Sequence, residues 1–222
     1  MNDLPKVWIV PVDVGPEVAA RYRDVLDDGE RERARAFGSP RDQQRFTVAH
    51  GALRILAARE LNTSPGALTW IPGRYGKPAL APPWSRLHTS ISHSADMTAL
   101  AISTGRPVGV DIQHLEPGLD TVGLSARFFP PDEACYVAAG RDVAARGDRF
   151  AHLWARKEAV VKAAGGVLWR NLAIAVRDRE VVRCGDPESS HRVADVPAPA
   201  GYRAAVAWLA GVPAGETTVR SL

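Results

Sequence analysis

Apolar and polar positions fall into blocks along the chain, and most blocks predict an element. The short apolar run Val7–Val12 predicts a strand. From about Pro16 to Phe37, arginines and acids interleave in a pattern that predicts helix. "SPRD" (Ser39–Asp42) breaks the pattern, and "DQQRFTVAHGALRILAARELN" (Asp42–Asn62) predicts a long helix. Its Phe46, Ala49, Leu53, Leu56 and Leu61 recur at spacings that place them on one buried stripe. Asn62–Pro65 supplies the stop. The region from Leu68 onward is punctuated, and its glycine-rich and proline-rich pieces read as loops. "LHTSIS" (Leu87–Ser92) and "TALAIS" (Thr98–Ser103) predict two strands joined tightly by "HSAD" (His93–Asp96). Gly105–Pro107 is a turn, and "VGVDIQ" (Val108–Gln113) starts another strand.

The remainder predicts helical segments at Thr121–Phe128, Pro131–Ala145 and Asp148–Ala164. Strands are predicted at about Leu172–Val176, Arg179–Arg183, His191–Val196 and Tyr202–Leu209, with turns at Gly185–Ser190 and Pro197–Gly201. The order strand, helices, strands thus occurs twice without a sequence repeat. Helices and strands in blocks, with few crossover units, predict an α+β fold rather than a doubly wound sheet. Two lobes of similar size are expected, residues 1–105 and 106–222.

Composition narrows the function classes. A chain of 222 residues, 45% hydrophobic and 24% charged, matches an ordinary globular protein able to bury a large core. No apolar run is long enough to span a bilayer. Asp3 stands where a signal peptide needs positive charge, so a cytoplasmic protein with no membrane partner is expected. Cys135 and Cys184 lie far apart without companion ligands, which argues against a metal-thiolate site or a disulfide framework. The net charge of +3 is small and the N-terminal arginines are balanced by acids, so no nucleic-acid partner is expected. There is neither a P-loop nor a dinucleotide-binding glycine fingerprint. The basic residues are almost all arginine. The lysines are Lys6, Lys77, Lys157 and Lys162, and two of them fall in "FAHLWARKEAVVKAAGG" (Phe150–Gly166). Lysine is a compact point charge and arginine a planar fork, so the choice is informative.

Four constellations carry candidate chemistry. Asp111 follows an apolar strand run, where acids are depleted. It is either a turn-capping residue at a strand end or a buried carboxylate that needs a cation. Trp154, Glu158 and Lys162 recur every four residues and share one helix face. Glu158 and Lys162 could form a weak surface pair. However, Leu153, Val160 and Val161 make the other faces apolar, which points to a helix buried between elements. In "SISHSAD", Ser90, Ser92 and Ser94 flank His93 at a strand-to-strand turn. They form either an anion cradle or an exposed hairpin tip. In "YGKP", Gly76 permits close approach and Lys77 offers charge, although the motif is also a common turn.

Taken together and in order, these pieces resemble the 4'-phosphopantetheinyl transferases, specifically the two-lobed, monomeric Sfp-type that activates nonribosomal peptide and polyketide synthases. The matching stretches are "GKP" (Gly76–Pro78), "SHS" (Ser92–Ser94), "VGVDI" (Val108–Ile112), "RFFPPDE" (Arg127–Glu133) and "WARKEAVVKAAG" (Trp154–Gly165). "RARAF" and "DQQRF" fit the family's first helices.

The resemblance implies two related α+β lobes with pseudo-twofold symmetry and coenzyme A in the cleft between them. It implies transfer of phosphopantetheine from coenzyme A to a serine of an apo acyl or peptidyl carrier domain, with release of adenosine 3',5'-bisphosphate. Mg2+ is the implied metal, with Mn2+ as an alternative. Carried over by position, Asp111 and Glu158 are the metal ligands, Lys162 contacts the phosphates, and Glu158 is a candidate to orient or deprotonate the serine. Lys77, Pro78, Ser92 and His93 are expected at the adenine or 3'-phosphate, with Arg45 near that phosphate and Arg33 at a further basic position. Glu133 matches an acidic position near the metal, and Lys157 belongs to the motif. Some relatives carry a third acid where this chain has Gln113, which is expected to reach the metal weakly or through water. That departure keeps open a catalytically weak relative that binds coenzyme A or a carrier. Carrier recognition is expected around Phe128, Phe129 and the loop after Gly105.

Overall fold

The computed structural model describes residues 4–73, 77–166, 172–185 and 189–210. Asp3, Gly76 and the interior of the turn expected at Gly185–Ser190 lie outside the described residues.

The N-terminal portion runs β1 (Lys6–Pro11), α1 (Pro16–Asp24), α2 (Asp28–Ala36), α3 (Pro40–Glu60), β2 (Trp70–Pro72), β3 (Pro78–Leu80), β4 (Leu87–Ser94) and β5 (Met97–Thr104). Strands β1, β5 and β4 form one antiparallel sheet in that order, and β2 pairs with β3 apart from it. Then come β6 (Val108–His114), α4 (Thr121–Phe128), α5 (Pro131–Ala138), α6 (Val143–Ala164), β7 (Val181–Cys184), β8 (Ser189–Val196) and β9 (Tyr202–Leu209). The order β6-β9-β8-β7 makes a second antiparallel sheet. The α+β reading holds.

Strand alternation assigns each sheet two apolar faces. In the first sheet, Leu100 and Ile102 join Ala52, Leu53 and Ala57 of α3 in one core. The opposite face of β5, Ala99 and Ala101, meets Val108, Val110, Ile112, Val206 and Trp208 of the second sheet. The far face of that sheet, with Val193, Ala205 and Ala207, packs on Leu153, Val160 and Val161 of α6. The layers are therefore helix, sheet, sheet, helix.

Several expectations require correction. Pro16–Phe37 is two helices, because Asp27 and Glu30 close a reciprocal capping box that starts α2. The segment predicted as Pro131–Ala145 ends at Ala138, and α6 begins at Val143, where the Asp142 side chain accepts from the Ala145 amide at 2.7 Å. Trp70–Pro72 and Pro78–Leu80, expected as loops, pair as strands. Leu172–Val176 is not a strand; its described residues form turn and coil. Here side chains replace the ladder. Glu133 Oε1 accepts from the amides of Val176 and Arg177, Lys157 Nζ donates to the Ile174 carbonyl, and Arg156 Nε donates to the Val176 carbonyl.

Candidate active site

The site forms where the edges of the two sheets meet under the end of α6. β4 is an edge strand of the first sheet and β6 an edge strand of the second. The edge of β6 carries unpaired backbone donors, which must find partners when buried. Serines at alternate positions of β4 supply them. Ser90 Oγ accepts from the Val110 amide at 3.1 Å and Ser94 Oγ from the His114 amide at 3.0 Å. Between them, Ser92 Oγ donates to Asp111 Oδ1 at 2.5 Å. The three serines of "SISHS" thus tie the two sheets together.

Asp111 lies within β6, not at a turn, and is 1% exposed. Its Oδ2 accepts from Gln113 Nε2 at 2.9 Å. Its Oδ1 receives Lys162 Nζ at 2.6 Å in addition to Ser92. Lys162 and Glu158 reach the strand because of Gly109. A β carbon there would lie 2.1 Å from the Ala159 carbonyl oxygen and 2.5 Å from the Ala163 amide nitrogen. Only glycine lets β6 run this close to α6. That is the physical reason for the glycine two residues before Asp111, a signal quoted in the sequence motif but not assigned a role there.

Lys162 Nζ has four oxygen neighbours: Asp111 Oδ1, Ser92 Oγ at 2.9 Å, the Val110 carbonyl at 3.2 Å and Glu158 Oε2 at 3.4 Å. Burial alone would lower the Lys162 pKa, but Asp111 and Glu158 outweigh it and hold the ammonium charged. Glu158 responds in the opposite sense. Burial, and then the Asp111 charge, push its carboxyl above the usual range against the pull of Lys162. Its Oε1 accepts from Trp154 Nε1 at 2.8 Å. Trp154 is fixed by Phe129 and Phe150, with ring centroids at 6.2 and 5.3 Å. The helix stops at Gly165, which takes the left-handed conformation with φ of 65°.

Donor chemistry fits a divalent cation. Two carboxylates from different elements converge on one point, and an ammonium already stands between them. Hard oxygen donors of this kind suit Mg2+ or Mn2+. Among the described residues, no three acids, histidines or cysteines gather into a metal cage.

The other candidate residues distribute as follows. His93 sits on the opposite face of β4 from Ser92 and pairs with Thr98 across the ladder. Desolvation, and then the charges of Arg45 and Lys162, lower its pKa. Arg45, on α3, pairs with Asp42 at 2.7 Å. Strand alternation therefore turns Ser92 into the Asp111 cluster and His93 to the other face of β4, where it still feels the charges of Arg45, Lys162 and Asp111. Lys77 Nζ donates to the carbonyls of Val108, at 2.5 Å, and Lys162, at 2.8 Å. Burial, with the Lys162 charge adding to it, lowers its pKa to about 8. Pro78 begins β3 and is exposed. Arg33, on α2, lies over the Phe46 ring at 5.7 Å.

Glu133 is not drawn into the cluster. It is fully buried, its Oε2 lies 2.5 Å from Lys157 Nζ, and its Oε1 is taken by two backbone amides. Lys157 also lies over the Phe129 ring at 4.5 Å. The two motif residues Lys157 and Glu158 point to different tasks, one inward to a structural pair and one to the site. Phe129 is 6% exposed and stacks on Phe150 at 5.4 Å, so it belongs to the core and not to a docking surface.

Comparison with known proteins agrees with this architecture. A profile of the 4'-phosphopantetheinyl transferase superfamily matches residues 107–207, which span β6 through most of β9. A protein of Synechocystis sp. that carries 4'-phosphopantetheinyl transferase as a provisional name is 31% identical over 184 residues, covering 81% of this chain and 72% of that protein. The 4'-phosphopantetheinyl transferase HetI of Nostoc sp. is 30% identical over 167 residues, 74% of this chain and 70% of HetI. The 4'-phosphopantetheinyl transferase Sfp of Bacillus subtilis is 27% identical over 162 residues, 72% and 70% of the two chains. Among the described residues, no helix is long and apolar enough to cross a membrane. The chain belongs to the 4'-phosphopantetheinyl transferase family, a family of transferase enzymes that act on coenzyme A and carrier protein domains.

Proposed function

We propose that this protein transfers the 4'-phosphopantetheine group from coenzyme A to a serine of an apo acyl or peptidyl carrier protein, using Mg2+ and releasing adenosine 3',5'-bisphosphate. The observation that carries the reading is the convergence of Asp111, Glu158 and Lys162 at the meeting of β6 and α6. In this reading residues 1–105 and 106–222 act as two lobes of a monomer, with coenzyme A between them.

Asp111 and Glu158 are the metal ligands. Gln113 holds Asp111 in place through its amide, and any contact of its own with the metal runs through water. A metal held by these two carboxylates would supply positive charge to offset that of the phosphates. Lys162 contributes a compact positive charge to the phosphate that leaves. The carrier serine attacks the phosphorus next to the pantetheine, the bond to the second phosphate breaks, and the serine proton is lost. Glu158, whose carboxyl is pushed up by burial and by Asp111, accepts that proton directly or through water. Arg45 and His93 form the second anchoring point, suited to the 3'-phosphate, and Lys77 and Pro78 border it. Most of the catalytic effect is positioning and charge.

The test is incubation of the protein with coenzyme A, Mg2+ and a panel of apo carriers, followed by intact-mass measurement of each carrier. A gain of one phosphopantetheine group supports the enzyme reading. Binding of coenzyme A or a carrier with no mass gain supports the binding-module alternative, for which Gln113 is the one departure in the site.

A further inference from the structure

We infer that the Lys162 ammonium is the resident counter-cation of the Asp111–Glu158 pair, and that it must leave this position for a divalent cation to be held by both carboxylates. The inference rests on the metal reading above and goes beyond it. It makes metal binding to the free protein weak and couples metal entry to arrival of the phosphates.

Geometry carries the argument. The ammonium takes Asp111 Oδ1 at 2.6 Å and shares Glu158 Oε2 at 3.4 Å. One ammonium thus spans an oxygen of each carboxylate. Of the remaining carboxylate oxygens, Asp111 Oδ2 receives Gln113 and Glu158 Oε1 receives Trp154. Each carboxylate thus has one oxygen held by a neutral donor alone and one that faces Lys162, the Asp111 Oδ1 of this second kind also accepting from Ser92 Oγ. A divalent ion placed between Asp111 and Glu158 would meet the ammonium within contact range, and like charges at that separation repel strongly where water is scarce. Ser92 Oγ and the Val110 carbonyl complete the ammonium's shell, so it is satisfied where it stands.

The lysine also has a way to leave. Its side chain remains 29% exposed, and its backbone is anchored independently by Lys77, which binds the Lys162 carbonyl. The stem can swing without moving α6. Pyrophosphate oxygens would draw the ammonium outward and free the two carboxylate oxygens. Lys162 thus has two successive partners, the carboxylates before substrate binds and the phosphates afterwards.

The experiment is Mn2+ titration of the metal-free full-length protein without coenzyme A, with free Mn2+ read by electron paramagnetic resonance. Lys162→Met should bind Mn2+ more tightly than wild type by roughly tenfold, an ordinary scale for coupling between two ligands. Glu158→Gln should bind more weakly than either. If Glu158→Gln weakens binding but Lys162→Met does not strengthen it, the counter-cation inference fails and the metal reading stands. If Glu158→Gln leaves Mn2+ binding unchanged, both fail. A second measurement needs no variant. Acylation of Lys162 in wild type, followed by peptide mass spectrometry, should speed up as Mn2+ saturates the site. An unchanged rate at saturation would overturn the inference.

Discussion

Gly109 and Ala159 are in van der Waals contact through backbone alone: a β carbon on Gly109 would stand 2.1 Å from the Ala159 carbonyl oxygen. This contact sets the depth of α6 on β6 and so the distance between Asp111 and Lys162. Gly109→Ala must push the helix outward or distort the strand. The expected cost is about 1–3 kcal/mol of stability, measured by urea unfolding. Transfer activity should fall by more than the lost folded fraction explains, because the cluster is spread apart.

Asp111→Asn and Glu158→Gln keep side-chain size and remove charge. Both should retain the circular dichroism spectrum of the wild type and lose transfer by roughly a hundredfold or more. Activity within a few-fold of wild type would remove that carboxylate from the chemistry.

Trp154→Phe keeps an aromatic ring beside Phe129 and Phe150 but deletes the N–H that holds Glu158 Oε1. The expected result is a lower kcat, by roughly tenfold for a hydrogen bond to a charged group, with little change in KM for coenzyme A. Steady-state kinetics separate the two.

Lys157 and Glu133 test whether the motif's neighbouring residues do different work. Lys157→Met leaves Glu133 charged and buried with only amide partners. Loss of one member of a buried pair costs about 3–5 kcal/mol. Thermal unfolding should show that loss, and the metal concentration for half-maximal activity of the folded protein should not move. A large shift in metal requirement would return Glu133 to the metal site.

Several features of the site were legible in the sequence, and others needed the fold. The i, i+4, i+8 spacing places Trp154, Glu158 and Lys162 on one face, and the bounds of Tyr202–Leu209 agree with the sequence reading, its Ala204–Leu209 being an unbroken apolar run. The break at Asp27 was present as Asp27 and Glu30 but was hidden by the continuous arginine-acid pattern around it. Leu172–Val176 looked like a strand because its alternation is apolar. Its backbone bonds go instead to Glu133, Arg156 and Lys157, partners many residues away that no local pattern reveals. For the same reason the serines of "SISHS" read as a hairpin tip or anion cradle, when they face the edge of β6.

Lys77 makes a pH prediction. Its folded pKa, about 8, lies below the ordinary lysine value of 10.5. Between these values the unfolded chain binds a proton that the folded chain has released, so this group's contribution to stability rises with pH across that window. The neutral amine still donates to the Val108 and Lys162 carbonyls. Lys77→Met should therefore lose ground against wild type as pH rises from about 8 to 10.5, followed by urea unfolding at each pH. A constant difference would contradict the lowered pKa.

The most direct test of the central claim is the intact mass of one responsive apo carrier after incubation with coenzyme A and Mg2+, with wild type and Glu158→Gln run side by side. The account expects a gain of one phosphopantetheine group with wild type and none with the folded Glu158→Gln protein. Equal gain with both would contradict the assignment of Glu158, and no gain with wild type on any carrier of the panel would contradict the proposed transfer.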